Sequence, residues 1–129
     1  MIVDTSAVMS ILWREPGHEQ LLRVLARDAS PGIGAPTLVE TGVVVTARLG
    51  QTGRTVVSGF LEESRLDVID FGADHWRTAV EAFRRYGKGR HPAGLNLGDC
   101  FSYATARVAD EPLLAIGDDF RRTDLVLAL

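Results

Sequence analysis

Asp4, Glu40, Asp99 and Asp118 lie far apart along the chain, yet each falls where a strand ends or a helix begins. Carboxylates brought within ~4–6 Å of one another repel, and each raises the other's pKa. A divalent cation relieves that repulsion. Hard oxygen donors, with no convergent cysteines and few histidines, suit Mg²⁺ or Mn²⁺ better than Zn²⁺. The single cysteine, Cys100, has no partner at zinc-site spacing and reads as a small packed residue. Each acid also has an ordinary role when taken alone. Asp4 suits a helix N-cap, Asp99 a first helical turn, Glu40 the far end of a Thr37-Leu38-Val39-Glu40 capping box and Asp118 a turn. The chemistry depends on their convergence.

The elements that would bring them together are short and alternating. Residues 1–3 form an apolar run suited to a buried first strand, and Asp4-Thr5-Ser6 caps a helix ending near Leu12. Leu21, Leu22, Leu25, Ala26 and Ala29 recur at helical spacing. A brief strand at 33–35 leads to Pro36 in the first turn of a helix reaching Leu49. A helix over 55–64 and a strand over 66–69 follow, and Trp76, Ala79, Val80, Phe83 and Tyr86 mark the next helix. Asp99 opens a helix to about Ala109, followed by strands at 112–116 and 125–129. Alternation over 129 residues, without repeats or a linker, predicts one α/β domain with a mostly parallel sheet flanked by helices. In such a sheet, sites gather at the carboxyl ends of the strands. Asp4 and Asp118 follow strands directly, while Glu40 and Asp99 lie near the starts of helices that face the same edge.

Composition narrows the class. A net charge of −3 excludes a protein that grips nucleic acid through a broad basic face. It does not exclude an enzyme that cuts nucleic acid, because metal-binding carboxylates make such a protein acidic. Phosphate contacts would then be local, and the glycine-punctuated loop with Lys88, Arg90 and His91 is the candidate. The alternative reading of that loop is a solvated surface turn. Trp13, Trp76, Phe83 and Phe101 are expected to anchor the core or an interface instead of stacking on bases. No apolar run approaches the ~18 residues of a membrane span, no secretory leader pattern opens the chain, and one cysteine fits a reducing cytosol, so the expected location is cytoplasmic. An aspartyl phosphatase would need Asp-x-Asp, but Thr5-Ser6 follows Asp4.

Several segments in order carry a specific resemblance. They are Ile2-Val3-Asp4-Thr5-Ser6, then Glu40, then Tyr86-Gly87-Lys88-Gly89-Arg90-His91. Leu95-Asn96-Leu97-Gly98-Asp99-Cys100-Phe101 follows, then Leu113-Leu114 and Gly117-Asp118-Asp119-Phe120. Over nearly its whole length the chain resembles the PIN-domain nucleases, and among them the VapC toxins of toxin–antitoxin pairs. The resemblance implies a PIN-like three-layer fold and a Mg²⁺-dependent endoribonuclease, with Mn²⁺ as a substitute and RNA as substrate. It implies Asp4, Glu40 and Asp99 as the main acidic residues, with Asp4 and Asp99 as direct metal ligands. The fourth place falls on Asp118, with Asp119 adjacent, and Thr5 and Ser6 would orient Asp4 or a metal-bound water. Further implied are a cognate VapB-type antitoxin and a homodimer. The competing readings are a non-catalytic RNA-binding or protein-docking module and an acidic-site phosphoryl-transfer or signalling domain.

Overall fold

The computed structural model describes residues 1–129. Strand β1 (Ile2–Val3) leads into helices α1 (Thr5–Leu12) and α2 (His18–Ala26). Strand β2 (Gly32–Gly34) is followed by α3 (Ala35–Leu49) and α4 (Gly53–Ser64), and β3 (Asp67–Ile69) by α5 (Ala73–Tyr86) and α6 (Leu97–Ala109). Strand β4 (Leu113–Leu114) and a single 3₁₀ turn (Phe120–Arg122) complete the order.

The strands are only two or three residues long; β1, β2 and β4 are buried, and β3 lies at the exposed edge. All pair in parallel in the order β3-β2-β1-β4, with Ile2 opposite both Gly32 and Leu113, and Val3 opposite Leu114. Strand residues alternate between faces, so the sheet divides the core in two. Ile2 and Leu113 pack with Ala79, Tyr86, Leu95, Cys100, Tyr103 and Phe120 beneath α5 and α6. Val3, Ile33 and Leu114 pack with Ala7, Val8, Leu21, Leu25 and Phe60 from α1, α2 and α4. The result is the expected three-layer α/β domain, a parallel sheet with both faces covered.

Several boundaries differ from the sequence reading for identifiable reasons. Helix α6 begins at Leu97, not Asp99, because the Asn96 side chain caps it by accepting from the Asp99 N–H at 2.9 Å. The last strand is reduced to one bridge: Leu113 donates to the Val126 carbonyl and receives the Ala128 N–H, pairing Leu127 with Leu113. Helix α3 starts at Ala35 with Gly34 as its cap, so Thr37 lies inside the helix and the capping box with Glu40 does not form. On α5 the buried stripe consists of Ala79, Ala82 and Tyr86, while Trp76, Val80 and Phe83 face outward at 54%, 61% and 41% exposure.

Candidate active site

Parallel strands end at one edge, and the candidate acids collect there. Asp4 leaves β1 in an extended conformation and caps α1. Its carboxylate is almost fully enclosed, with 5% of the residue exposed, and both oxygens are engaged. Oδ2 accepts the Ser6 N–H at 2.9 Å and the Ser6 hydroxyl at 2.5 Å, while Oδ1 accepts the Ser102 hydroxyl at 2.5 Å. Ser6 Oγ also accepts the Ile116 N–H at 3.0 Å, which ties the end of β4 to the same carboxylate. Asp4 is therefore a helix cap and a member of the acidic group at once.

Asp99 sits in the first turn of α6, where its Oδ2 accepts the Asn96 N–H at 2.9 Å. Its carboxyl is pushed up to about 6, chiefly by burial and then by the negative charges of Asp4, Asp119 and Glu40. The amide hydrogen bond from Asn96 opposes the rise without cancelling it. Glu40 reaches the same place from α3. A side chain at Gly98 would meet its Oε2 at 2.0 Å and its carboxyl carbon at 2.9 Å, so the bare backbone at Gly98 makes room for this carboxylate. The start of α6 carries the positive end of the helix dipole, a favourable neighbour for Glu40.

Asp118 and the adjacent Asp119, the two residues that suit the fourth position, are both exposed. Asp118 is turned to solvent, with 82% of its side chain exposed, and its nearest charged partner is Arg121 at 4.0 Å. The carboxylate that bears on Asp99 is that of Asp119. Of the two hydroxyls expected beside Asp4, Ser6 reaches its carboxylate and Thr5 turns toward α3. The Thr5 hydroxyl contacts Thr41 Oγ1 at 3.0 Å and the Thr37 carbonyl at 3.4 Å, and makes no hydrogen bond to Asp4. The hydroxyl that the sequence reading missed is Ser102, buried on α6 one turn beyond Asp99.

The loop between α5 and α6 is folded back on itself. Lys88 donates to the Leu95 carbonyl through its backbone, and Leu95 to that of Tyr86. The Lys88 side chain is exposed, and Arg90 lies over the Phe83 ring at 5.5 Å. His91 packs edge-on against Tyr86 and accepts the Ala93 N–H through Nδ1 at 3.0 Å, leaving only Nε2 for an outside partner. None of the three forms an ion pair with the acidic group.

The donor set fits a hard divalent cation. Asp4, Glu40, Asp99 and Asp119 have no Lys or Arg partner within ion-pair distance, and Asp99 is raised by burial and, beyond that, by the charges of the other three. No three His, Cys, Asp or Glu side chains stand close enough to enclose an ion by themselves. Burial, and then Asp99, push the Cys100 thiol up to about 11, which disfavours the thiolate.

A sheet of this order with acids at its carboxyl edge defines the PIN domain, whose family model matches residues 1–126. Ribonuclease VapC36 of Mycobacterium tuberculosis is 48% identical over 126 residues, covering 97% of this chain and 91% of the relative. Ribonuclease VapC of Mycolicibacterium smegmatis is 42% identical over 125 residues, covering 97% of each. Among solved structures, the Mycobacterium tuberculosis toxin VapC20, described as cleaving the sarcin–ricin loop, superposes with a TM-score of 0.75 at 22% identity over 97% of this chain and 95% of that one. A toxin–antitoxin complex from Klebsiella pneumoniae gives 0.73 at 21% identity, covering 98% and 94%. The chain belongs to the PIN-domain family of VapC ribonucleases.

Proposed function

We propose that this chain is the toxin of a type II toxin–antitoxin pair, an endoribonuclease that hydrolyses RNA phosphodiester bonds with Mg²⁺, or Mn²⁺ in its place. The observation that carries the metal reading is the acidic group itself, with Asp4, Glu40, Asp99 and Asp119 sharing one edge without a cationic side chain. Asp4 and Asp99 would hold the ion, with Glu40 and Asp119 adding negative charge around it. When bound, such an ion lowers the pKa of a water and neutralises charge on the phosphoryl oxygens. The protein's own part is placement. Ser6 orients Asp4 through Oδ2, Asn96 orients Asp99, and Gly98 admits Glu40. Lys88 and Arg90 offer mobile cations to substrate phosphates, and His91 offers its Nε2–H. No serine or cysteine nucleophile is needed.

The partner is a VapB-type antitoxin, in keeping with the toxin–antitoxin complexes that share this fold. The chain pairs as a homodimer, and the apolar groove of Trp76, Val80, Phe83, Leu97 and Phe101 between α5 and α6 supports that reading. No helix is long and apolar enough to cross a membrane, and the proposed place of action is the cytoplasm.

The test is to map the 5′ ends of cellular RNA after brief induction of the wild type or the Asp4→Ala variant. New ends that depend on Asp4 are expected. Identical maps would overturn the nuclease reading.

A further inference from the structure

We infer that Ser102 is a positioning residue for the Asp4 carboxylate, held in place by Thr37, and that this pair sets the affinity of the site for its cation. The inference rests on the metal reading above and adds residues to it.

The argument follows the protons. Asp4, Ser102, Thr37, Thr41 and Thr5 are all buried, with Ser102 fully enclosed and Thr37 and Thr41 each 1% exposed, so water does not compete for their hydrogen bonds. An ionised carboxylate only accepts, and a hydroxyl has one proton to give. The Ser102 proton is therefore spent on Asp4 Oδ1, at the 2.5 Å expected of a charge-assisted O–H···O⁻ bond. The 3.2 Å contact between Ser102 and Thr37 must then be Thr37 donating to Ser102. Thr41 gives its proton to the Thr37 carbonyl at 2.9 Å, and Thr5 donates to the nearer Thr41 hydroxyl at 3.0 Å, with the same Thr37 carbonyl as its longer acceptor at 3.4 Å. Every hydroxyl is assigned.

Two branches result, and only one reaches the site. Thr37, Ser102 and Asp4 form a line of donors ending on a carboxylate oxygen. Thr5 and Thr41 end on a backbone carbonyl and tie α1 to α3. The first branch joins α3, α6 and the end of β1, the elements that carry Glu40, Asp99 and Asp4. Without Ser102, Oδ1 would be a buried charged oxygen with no donor, and the carboxylate would turn about its last side-chain bond. Ser6 holds only the other oxygen.

The experiment measures Mn²⁺ binding by calorimetry, without RNA, on proteins whose folding is checked by thermal melting. Ser102→Ala should weaken binding by roughly 10- to 100-fold, the usual cost of losing a group that orients a ligand. Thr37→Val, nearly isosteric, leaves Ser102 in place without its donor and should cost about 2- to 10-fold, one neutral hydrogen bond. It serves as the second variant should Ser102→Ala fail to fold. Thr41→Val removes a hydroxyl from the same buried layer on the other branch and should bind Mn²⁺ as the wild type does, whatever its melting temperature. Wild-type affinity in both Ser102→Ala and Thr37→Val, or an equal loss in Thr41→Val, would overturn the inference. A wild type that binds no Mn²⁺ would overturn the metal reading itself, and this inference with it.

Discussion

Two clusters of charged and polar groups face each other in design at opposite ends of α6. Asp124, on the C-terminal stretch, accepts the Tyr103 hydroxyl at 2.6 Å and Arg107 at 2.9 Å, with Arg85 at 3.5 Å. Burial pushes its carboxyl up, but Tyr103, Arg107 and Arg85 outweigh burial and hold it below the usual aspartate range. At the other end, Asp99 has an amide donor but no cation, three acids bear on it, and it lies near 6. A carboxylate surrounded by arginine and tyrosine is satisfied and serves as a clasp. A carboxylate surrounded by other carboxylates is unsatisfied until a cation arrives. Burial raises both carboxyls; only Asp124 has a hydroxyl and cations to outweigh it, while the acids around Asp99 add to it.

The sharpest way to break this contrast is Asp99→Asn. Cleavage should fall by at least about 100-fold, the upper end of the range for groups one step removed from a metal. The metal-free protein should nevertheless become more stable at about pH 7, because a charge that is costly to bury, and is repelled by its neighbours, is gone. In the wild type, a folded value near 6 against an ordinary 3.8 means that the folded chain holds its proton more tightly between those values. Stability from this group is thus highest below about pH 4 and declines as pH rises through 6. Two pKa units correspond to about 3 kcal/mol; discounted for partial exposure, the gain on substitution is about 1 kcal/mol, a rise of about 3 °C in melting temperature. Thermal melts in EDTA across pH measure it. A melting temperature lowered by the substitution would show that the Asp99 charge carries no such cost.

Asp124→Ala should behave in the opposite sense. Loss of its charge-assisted hydrogen bonds should cost about 2 kcal/mol of stability and leave Mn²⁺ affinity unchanged. Because the Asp124 carboxyl is held low, its contribution is present above the usual aspartate range and disappears as pH falls through the folded value. Acidification should therefore narrow the stability gap between wild type and Asp124→Ala, as chemical denaturation at stepped pH would reveal. A gap that widened on acidification would remove the clasp from the comparison.

What sequence reasoning could see was local. Asp4 announces itself as a cap after an apolar run, and parallel topology then places it at the edge. The start of α6 was harder to find because Leu97-Gly98 is a poor helix opening, and the signal is the Asn96 cap three residues before Asp99. Ser102 carries no local mark. A serine among Phe101, Tyr103 and Ala104 reads as filler until α6 lies against the end of β1, 98 residues away in sequence. Helix α5 misleads for a related reason. Periodicity finds one apolar stripe of Trp76, Ala79, Val80, Phe83 and Tyr86, yet close packing against α6 buries Ala79, Ala82 and Tyr86 and leaves the larger Trp76 and Phe83 outside. Long-range packing decides all three cases.

The smallest expected effect separates neighbours. Gly117 takes φ +98°, a conformation open to glycine, and the chain turns there before the 3₁₀ segment that follows Asp119. That turn sends Asp118 outward to Arg121, while the charge of Asp119, also exposed, bears on Asp99. Asp119→Asn should therefore slow cleavage by about 10-fold, the low end of the range for a supporting group. Asp118→Asn, a surface change, should stay within about 0.5 kcal/mol, or roughly twofold. Single-turnover cleavage of one RNA by both variants decides between them. A larger loss at Asp118 would mean that the turn rearranges when RNA or metal binds, and the line drawn here between paired and unpaired acids would have to move by one residue.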